Sequence, residues 1–467
     1  MTLAIVILML FSYVLICTEH ITHINKATVA LFCGVCGWVM YVCVGPYYIT
    51  TLHDARFQEF LAGEAYSIHA VNRYICDHVF ARHMMQLSGI VMYLLATMAI
   101  VDVLKNNGCF SLITQVCRSS KTWIMVTTLT VCSFFLSSNL DNLTSALVMF
   151  SVMNQLVVNN RQRMLLGAII VIATNCGGCY TVIGDVTSLL IWTRGAVTPT
   201  NYTIALVLPA VCATIIPTVL ISRNLPDHLD LKRHSVTFRG SSEADIHLWQ
   251  QILMLILGIG GLWFTPTFYR LTNLPPFLGA LCVLGVLWVV GEIINRKRIL
   301  SDQPIMTDNR SSLQYEAKQM LMFFLGIGLS VDILIEVGAM EHLASWCDQY
   351  IHSIYLFSLV MGIVSAFMDN VALVISGISI YPVLTDATHA TTPYLQSFLQ
   401  NGQYWHLIAL SGCVGGCLLP IGNTAGYALM KSEGVTIWWY VRHITGKVLL
   451  GWLFSLGVYF LVDYFLR

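Results

Sequence analysis

Charge is what this sequence has least of: Asp, Glu, Lys and Arg make up 10% of its 467 residues, against roughly a quarter in soluble globular chains. Together with 57% hydrophobic residues and a mean hydropathy of +0.72, that scarcity excludes an ordinary water-soluble fold. No block of like charge exceeds Arg296-Lys297-Arg298 and the net charge is zero, so nothing points to a nucleic acid partner. A disulfide framework is missing as well. The 15 cysteines fall mostly inside apolar stretches (Cys17, Cys33, Cys36, Cys132, Cys212, Cys282), where a thiol serves as a small packing group. Cys33 and Cys36 share a C-x-x-C spacing, but without His or Asp beside them packing outweighs metal or redox chemistry. The first apolar run has no basic flank and no small-residue cleavage site ahead of Thr18-Glu19-His20, and it reads as a helix rather than a signal peptide.

What is abundant is apolar sequence in lengths that cross a bilayer. Ten spans are expected, at 2–17, 27–44, 84–104, 164–193, 203–222, 247–264, 275–293, 317–337, 404–430 and 447–465. Two further apolar segments, 122–158 and 353–382, each carry an Asp-Asn pair near the middle. Their arms of about 15 residues are too short to cross alone, and a polar centre at mid-membrane suits a re-entrant helix-turn-helix hairpin. The segment 45–83 alternates polar and apolar residues (Phe57, Phe60, Leu61, Tyr66, Ile68) and is expected on the membrane surface.

Lys and Arg test this layout, because they concentrate in cytoplasmic loops. With both hairpins making no net crossing, one set of loops holds 18 of the 24 Lys and Arg, and the opposite set holds Arg56, Arg73, Arg82, Arg194, Arg270 and Arg467. Both termini are then extracytoplasmic, the first hairpin enters from the cytoplasm and the second from outside. Five crossings separate the hairpins, so two copies of one unit point in opposite directions. The Asp-Asn pairs are offset by 228 residues (Asp141 to Asp369), and the Gly-Gly pairs by 238 (Gly177 to Gly415). The expected fold class is therefore an all-α polytopic membrane protein, an inverted-repeat transporter with two re-entrant hairpins and broken transmembrane helices. It forms one domain over 1–467, with a first repeat at about 27–222 and a second at about 275–465.

A carboxylate inside an apolar segment is costly and marks a functional site by default. Asp141 and Asp369 each precede a helix-like apolar run, where Asp or Asn also serves as an ordinary N-cap, with Asn142 or Asn370 sharing the task. In hydrocarbon Ser or Asn would cap at lower cost, so a ligand role is expected alongside capping. The stretch Asn175 to Ser188 places Gly177, Gly178, Gly184, Asp185, Thr187 and Ser188 in mid-span. Paired glycines weaken a helix there by about 1 kcal/mol each, and unwound carbonyls beside hydroxyls and a carboxylate form an oxygen set for a hard cation. Close packing of small residues would account for the glycines but not for Asp185. In the second copy Asn423 replaces Asp185, which removes one charge. The expected Na+ ligands are Asp141, Asp185 and Asp369, joined by Asn142, Asn175, Thr187, Ser188, Ser365, Asn370 and Asn423. Asp332 and Glu336, one turn apart near a span end, are read as either access-path carboxylates or an interfacial pair. His83 is either a solvated histidine or a pH-responsive one.

These residues resemble a known family. Glu19-His20 followed by Ile24-Asn25-Lys26-Ala27, Ile100-Val101-Asp102, Leu140-Asp141-Asn142-Leu143-Thr144, Asn175-Cys176-Gly177-Gly178 with Ile183-Gly184-Asp185-Val186-Thr187, and Asp369-Asn370 are similar to the NhaD-type sodium/proton antiporters of the ion transporter superfamily. The resemblance covers nearly the whole chain. It implies export of Na+ or Li+ in exchange for protons, no cofactor, a bacterial inner membrane location with the lipid bilayer as partner, and a homodimer. The chain departs from the family at Asp102, where Glu is common, at Gln86, where an acidic residue follows the His equivalent to His83, and at Ser188, where a second Thr is usual. Superfamily members that carry arsenite or organic anions are the alternative, and a two-aspartate intramembrane protease is a remote one. The Ser-Asn-Thr hairpin tips of dicarboxylate carriers are absent here, and a protease dyad leaves the duplicated Gly-Gly runs unexplained.

Overall fold

The structure, a computed structural model, describes residues 2–22, 24–62, 65–232, 247–299, 310–384 and 392–466. Among these residues the chain is helical without a strand, and only isolated β-bridges occur. Seven helices are long and apolar enough to cross a membrane: Lys26–Cys43, Ile68–Asn106, Asn160–Cys179, Pro199–Ser222, Pro276–Asn295, Lys318–Glu336 and Ile437–Phe465. Leu248–Gly260 and Phe264–Thr272, bent by 45° at their junction, make an eighth if counted together. The chain is an all-α polytopic membrane protein.

Three of the ten expected spans are short or divided. Thr2–Cys17 is apolar but only 16 residues long, and 404–430 divides into Gln403–Gly415 and Thr424–Glu433. Likewise 164–193 divides into Asn160–Cys179 and Val186–Thr193. Both divisions fall at Gly-Gly runs. A side chain on Gly178 would lie 2.8 Å from the Gly184 carbonyl, and one on Gly416 would lie 2.9 Å from the Gly422 carbonyl. The chain folds back on itself at each break, and only glycine permits that approach.

The described chain forms two compact units. The first comprises Met1–Met92, Tyr315–His352 and Ile375–Pro382. In it Lys26–Cys43, capped by the Asn25 side chain, crosses Arg310–Glu336 closely enough that a Cβ on Gly326 would strike the Ala30 and Leu31 backbone. Small residues thus set the interhelical distance, as in membrane bundles generally. Trp38 Nε1 donates to the Leu329 carbonyl at 3.2 Å across the same crossing. The segment 45–83 differs from expectation. It forms the short helices Gly45–Leu52 and Asp54–Leu61 and then enters Ile68–Asn106, and it buries Phe57 and Leu61. The Phe57 ring meets Tyr74 edge-on at 5.3 Å, so Phe57 and Leu61 pack inward while Tyr66 and Ile68 stay exposed.

The second unit comprises Tyr93–Gln314, Ser353–Val374 and Val383–Arg467. Its first hairpin has arms Thr122–Ser137 and Asn142–Leu156. One extended strap pins both open ends: Leu229 N donates to the Ser120 carbonyl at 2.9 Å, and Lys232 N to the Leu156 carbonyl at 2.9 Å. The two arms therefore begin and finish on the same side. At 1.5 Å per residue they reach about 24 Å, short of a hydrocarbon core of about 30 Å. The open end of the second hairpin, Ile354–Phe367 and Asn370–Ile380, closes in a comparable way. Phe357 on its first arm and Phe398 both pack against Tyr404, at 5.5 and 4.8 Å, and Leu384 beyond its second arm donates to the Phe398 carbonyl at 3.0 Å.

Each hairpin docks on a broken helix through matched contacts. A Cβ on Gly177 would strike the Phe134 backbone, and one on Gly415 would strike the Gly362 backbone. Gly184 approaches the Ser137 carbonyl as Gly422 approaches that of Ser365. Phe134 and Gly362 share the offset of 228, and Gly177 and Gly415 that of 238.

Candidate functional site

All ten expected cation ligands lie in the second unit, and all are buried; Asp141, Asp185 and Asp369 are 5%, 2% and 4% exposed. Each carboxylate stands where a helix begins, because an interrupted helix leaves backbone N–H groups without partners. Asp141 caps the second arm of the first hairpin, accepting from Thr144 N at 2.8 Å, while the Thr144 hydroxyl donates to its other oxygen. Asp369 accepts from Val371 N at 3.1 Å in the second hairpin. Asp185 caps Val186–Thr193, with Oδ1 accepting from Val186 N at 2.8 Å and Oδ2 from the Thr187 hydroxyl at 2.6 Å. Capping and exposure to an ion are compatible, since a carboxylate has more acceptor positions than these bonds fill.

The remaining ligands divide by what they already hold. Asn175 sits inside its helix, donating to the Val171 carbonyl at 2.8 Å and accepting from Asn142 Nδ2 at 3.0 Å, so the two amides lock the first tip. The Ser188 hydroxyl accepts from Asp185 N at 3.3 Å and donates to the Asp185 carbonyl at 2.9 Å, which completes a capping box. Ser365 donates to the Gly412 carbonyl at 2.6 Å. Asn423 caps Thr424–Glu433 through Gly426 N at 2.6 Å and donates to the Gly416 carbonyl at 2.8 Å. Asn370 differs: both polar atoms of its carboxamide are buried without a hydrogen-bond partner among the described residues.

The two breaks meet. Cys413, on the second broken helix, places its thiol 3.4 Å from Asp185 Oδ2 and 3.4 Å from the Thr187 hydroxyl. Among the described residues no Lys, Arg or His forms an ion pair with Asp141 or Asp185. Nor do three His, Cys, Asp or Glu side chains gather closely enough among them to enclose a metal ion, so the three aspartates stand at separate breaks. Cys413 carries no charge or motif that marks it in the sequence. The signal was its position, 238 residues after Asn175.

Asp332 and His83 lie in the first unit and belong to a different cluster. His83 Nδ1 is 3.1 Å from Asp332 and its Nε2 is 2.7 Å from Glu336. Glu336 is also 2.8 Å from His53 Nε2 and 3.6 Å from Arg82. Asp332 and Glu336 are thus joined through His83, a link that spacing on one helix did not disclose. His53 and Arg82 were not anticipated at all, for they are separated from Glu336 by over 250 residues.

A family model described as citrate transporter (CitMHS) matches residues 13–400. Sodium/proton antiporter 2 of Arabidopsis thaliana is 31% identical over 454 residues, covering 97% of this chain and 98% of that protein. Sodium/proton antiporter 1 of the same plant is 34% identical over 382 residues, 81% of this chain and 62% of that one. The Na+/H+ antiporter NhaD of Alkalimonas amylolytica is 24% identical over 412 residues, 82% of this chain and 79% of that one.

Proposed function

This chain belongs to the citrate-transporter family (CitMHS) of the ion transporter superfamily, among its NhaD-type members, and we propose that it is a secondary antiporter exchanging Na+ or Li+ for protons. The observation that carries this reading is the pair Asp141 and Asp185: buried at helix breaks, held by hydroxyl and backbone donors, and in no ion pair with a cationic side chain among the described residues. A buried carboxylate in that setting needs either a proton or a cation to neutralise it. Either occupant excludes the other, which is what exchange at one site requires. The apparent KM for Na+ therefore rises as the pH falls.

In the full proposal, 1–467 works as one transporter domain whose repeats, about 27–222 and 275–465, are inverted through the bilayer. The matched docking of the two hairpins on the two broken helices supports that relation. Both termini are extracytoplasmic, the protein works as a homodimer in a bacterial inner membrane, and the hairpin-bearing unit alternates access to the site. The Na+ ligands are Asp141, Asp185 and Asp369 with Thr187 and Asn370; the three carboxylates stand at separate breaks in this structure and close on the ion as access alternates. Asn142, Asn175, Ser188, Ser365 and Asn423 hold the frame around them, and Asp332 with His83 tunes the response to pH.

The description of the family model supplies the second reading, an organic anion such as citrate. Buried carboxylates without cationic neighbours oppose it, since they repel such a substrate. The test is cation-dependent proton movement in inverted vesicles, with Na+, Li+ and K+ across pH, for the wild type and Asp141→Asn. Dissipation of the proton gradient by Na+ or Li+, abolished in the variant, is expected. Uptake of citrate with no response to Na+ or Li+ at any pH would overturn the antiporter reading.

A further inference from the structure

The two copies carry different residues at one corresponding position, and the difference leaves a polar group open. In the first copy Asn175 accepts from the Asn142 carboxamide and fixes the hairpin tip. The position 238 residues later holds Cys413, whose thiol cannot replace a carboxamide acceptor. It turns instead to Asp185 and Thr187 of the other copy, 3.4 Å from each. The corresponding tip residue Asn370, fully buried, is left with neither its oxygen nor its nitrogen bonded. Its backbone is nonetheless held in place, for Asn370 N donates to the Gly422 carbonyl at the second break at 3.1 Å. An amide kept buried and unsatisfied is penalised for its lost hydration, and a bound ligand removes that penalty.

We propose that Cys413 is a positioning residue for cation exchange: standing where the first copy has Asn175, it leaves the Asn370 carboxamide oxygen free to ligate a monovalent cation. The first tip is thus a closed structural joint and the second an open ligand. The inference rests on the antiporter reading for the identity of the cation but concerns a residue that the reading does not use.

The decisive substitution is Cys413→Asn, which restores the residue of the first copy and offers Asn370 a protein partner in place of the ion. Full-length protein in proteoliposomes is assayed for Na+- and Li+-driven proton exchange, and in detergent for the rise in Tm caused by either ion. Cys413→Asn is expected to raise the KM for Na+ about tenfold with kcat changed less than about threefold, and to lose most of the Na+-induced Tm rise. Cys413→Ala, which also leaves Asn370 free, is expected to keep KM within about threefold of wild type. Asn370→Ala combined with Cys413→Asn should be no worse than Asn370→Ala alone, because both act on one ligand. A KM for Cys413→Asn within about twofold of wild type, or equal damage from Cys413→Ala, overturns the proposal. If the wild type exchanges no cation yet Na+ raises its Tm and not that of Cys413→Asn, the antiporter reading falls and the positioning role stands. If no Na+ or Li+ effect appears in either assay, both fall.

Discussion

The molecule buries carboxylates in two settings and treats them oppositely. In the first unit Glu336 is surrounded by His53, His83 and Arg82, and Asp332 shares His83. In the second unit the donors to Asp141 and Asp185 among the described residues are hydroxyl, thiol and backbone groups. A carboxylate with its countercharge built in is a structural element, whereas one without it leaves the countercharge to come from outside. Burial alone therefore does not single out the transport site. What separates the two settings is which partner the fold supplies.

Substitutions that remove charge from each setting break this comparison most directly. Asp141→Asn or Asp185→Asn keeps the helix cap, since Asn caps as well as Asp, yet should lower exchange by about a hundredfold or more in vesicles. Exchange that survives either change would place the site elsewhere. Glu336→Gln should do the reverse. It strands two histidines and an arginine, lowering stability by about 3 kcal/mol as a drop in Tm, while the exchange rate at its optimum stays within about threefold and the pH profile shifts. Gly177→Ala probes the docking that frames the second setting. Its Cβ would strike the Phe134 backbone, with an expected cost of about 1–3 kcal/mol and a parallel loss of exchange.

Ser188→Ala sharpens the division of labour within the site and has the smallest effect. Loss of half a capping box costs about 1 kcal/mol in stability, read as Tm, with the KM for Na+ unchanged within about twofold. A tenfold rise in KM would make Ser188 a ligand after all.

The two settings were unequally visible in the sequence. Asp141, Asp185 and Asp369 stand out because a charge interrupts an apolar run, and the Gly-Gly breaks stand out because they recur at a fixed offset. Both are local signals. The Glu336 cluster is assembled from His53, Arg82 and His83, far away in the chain, and no periodicity joins them. The same holds for the strap at 227–232, whose sequence gives no sign of bonding to residues on either side of a hairpin. Segment 45–83 misled for a related reason: its alternation marks a half-buried face, but whether lipid or protein covers that face depends on tertiary packing.

That strap sets the stiffness of the first hairpin. It leaves the end of Pro199–Ser222 and stitches Ser120, at the foot of one arm, and Leu156, at the foot of the other, to one short stretch of backbone. The hairpin cannot splay at its base, and its tip cannot sink or rise without hauling that long helix along. Asp141 thus rides at the end of a braced lever rather than on a loose loop, so any displacement of its tip is carried into a whole transmembrane helix.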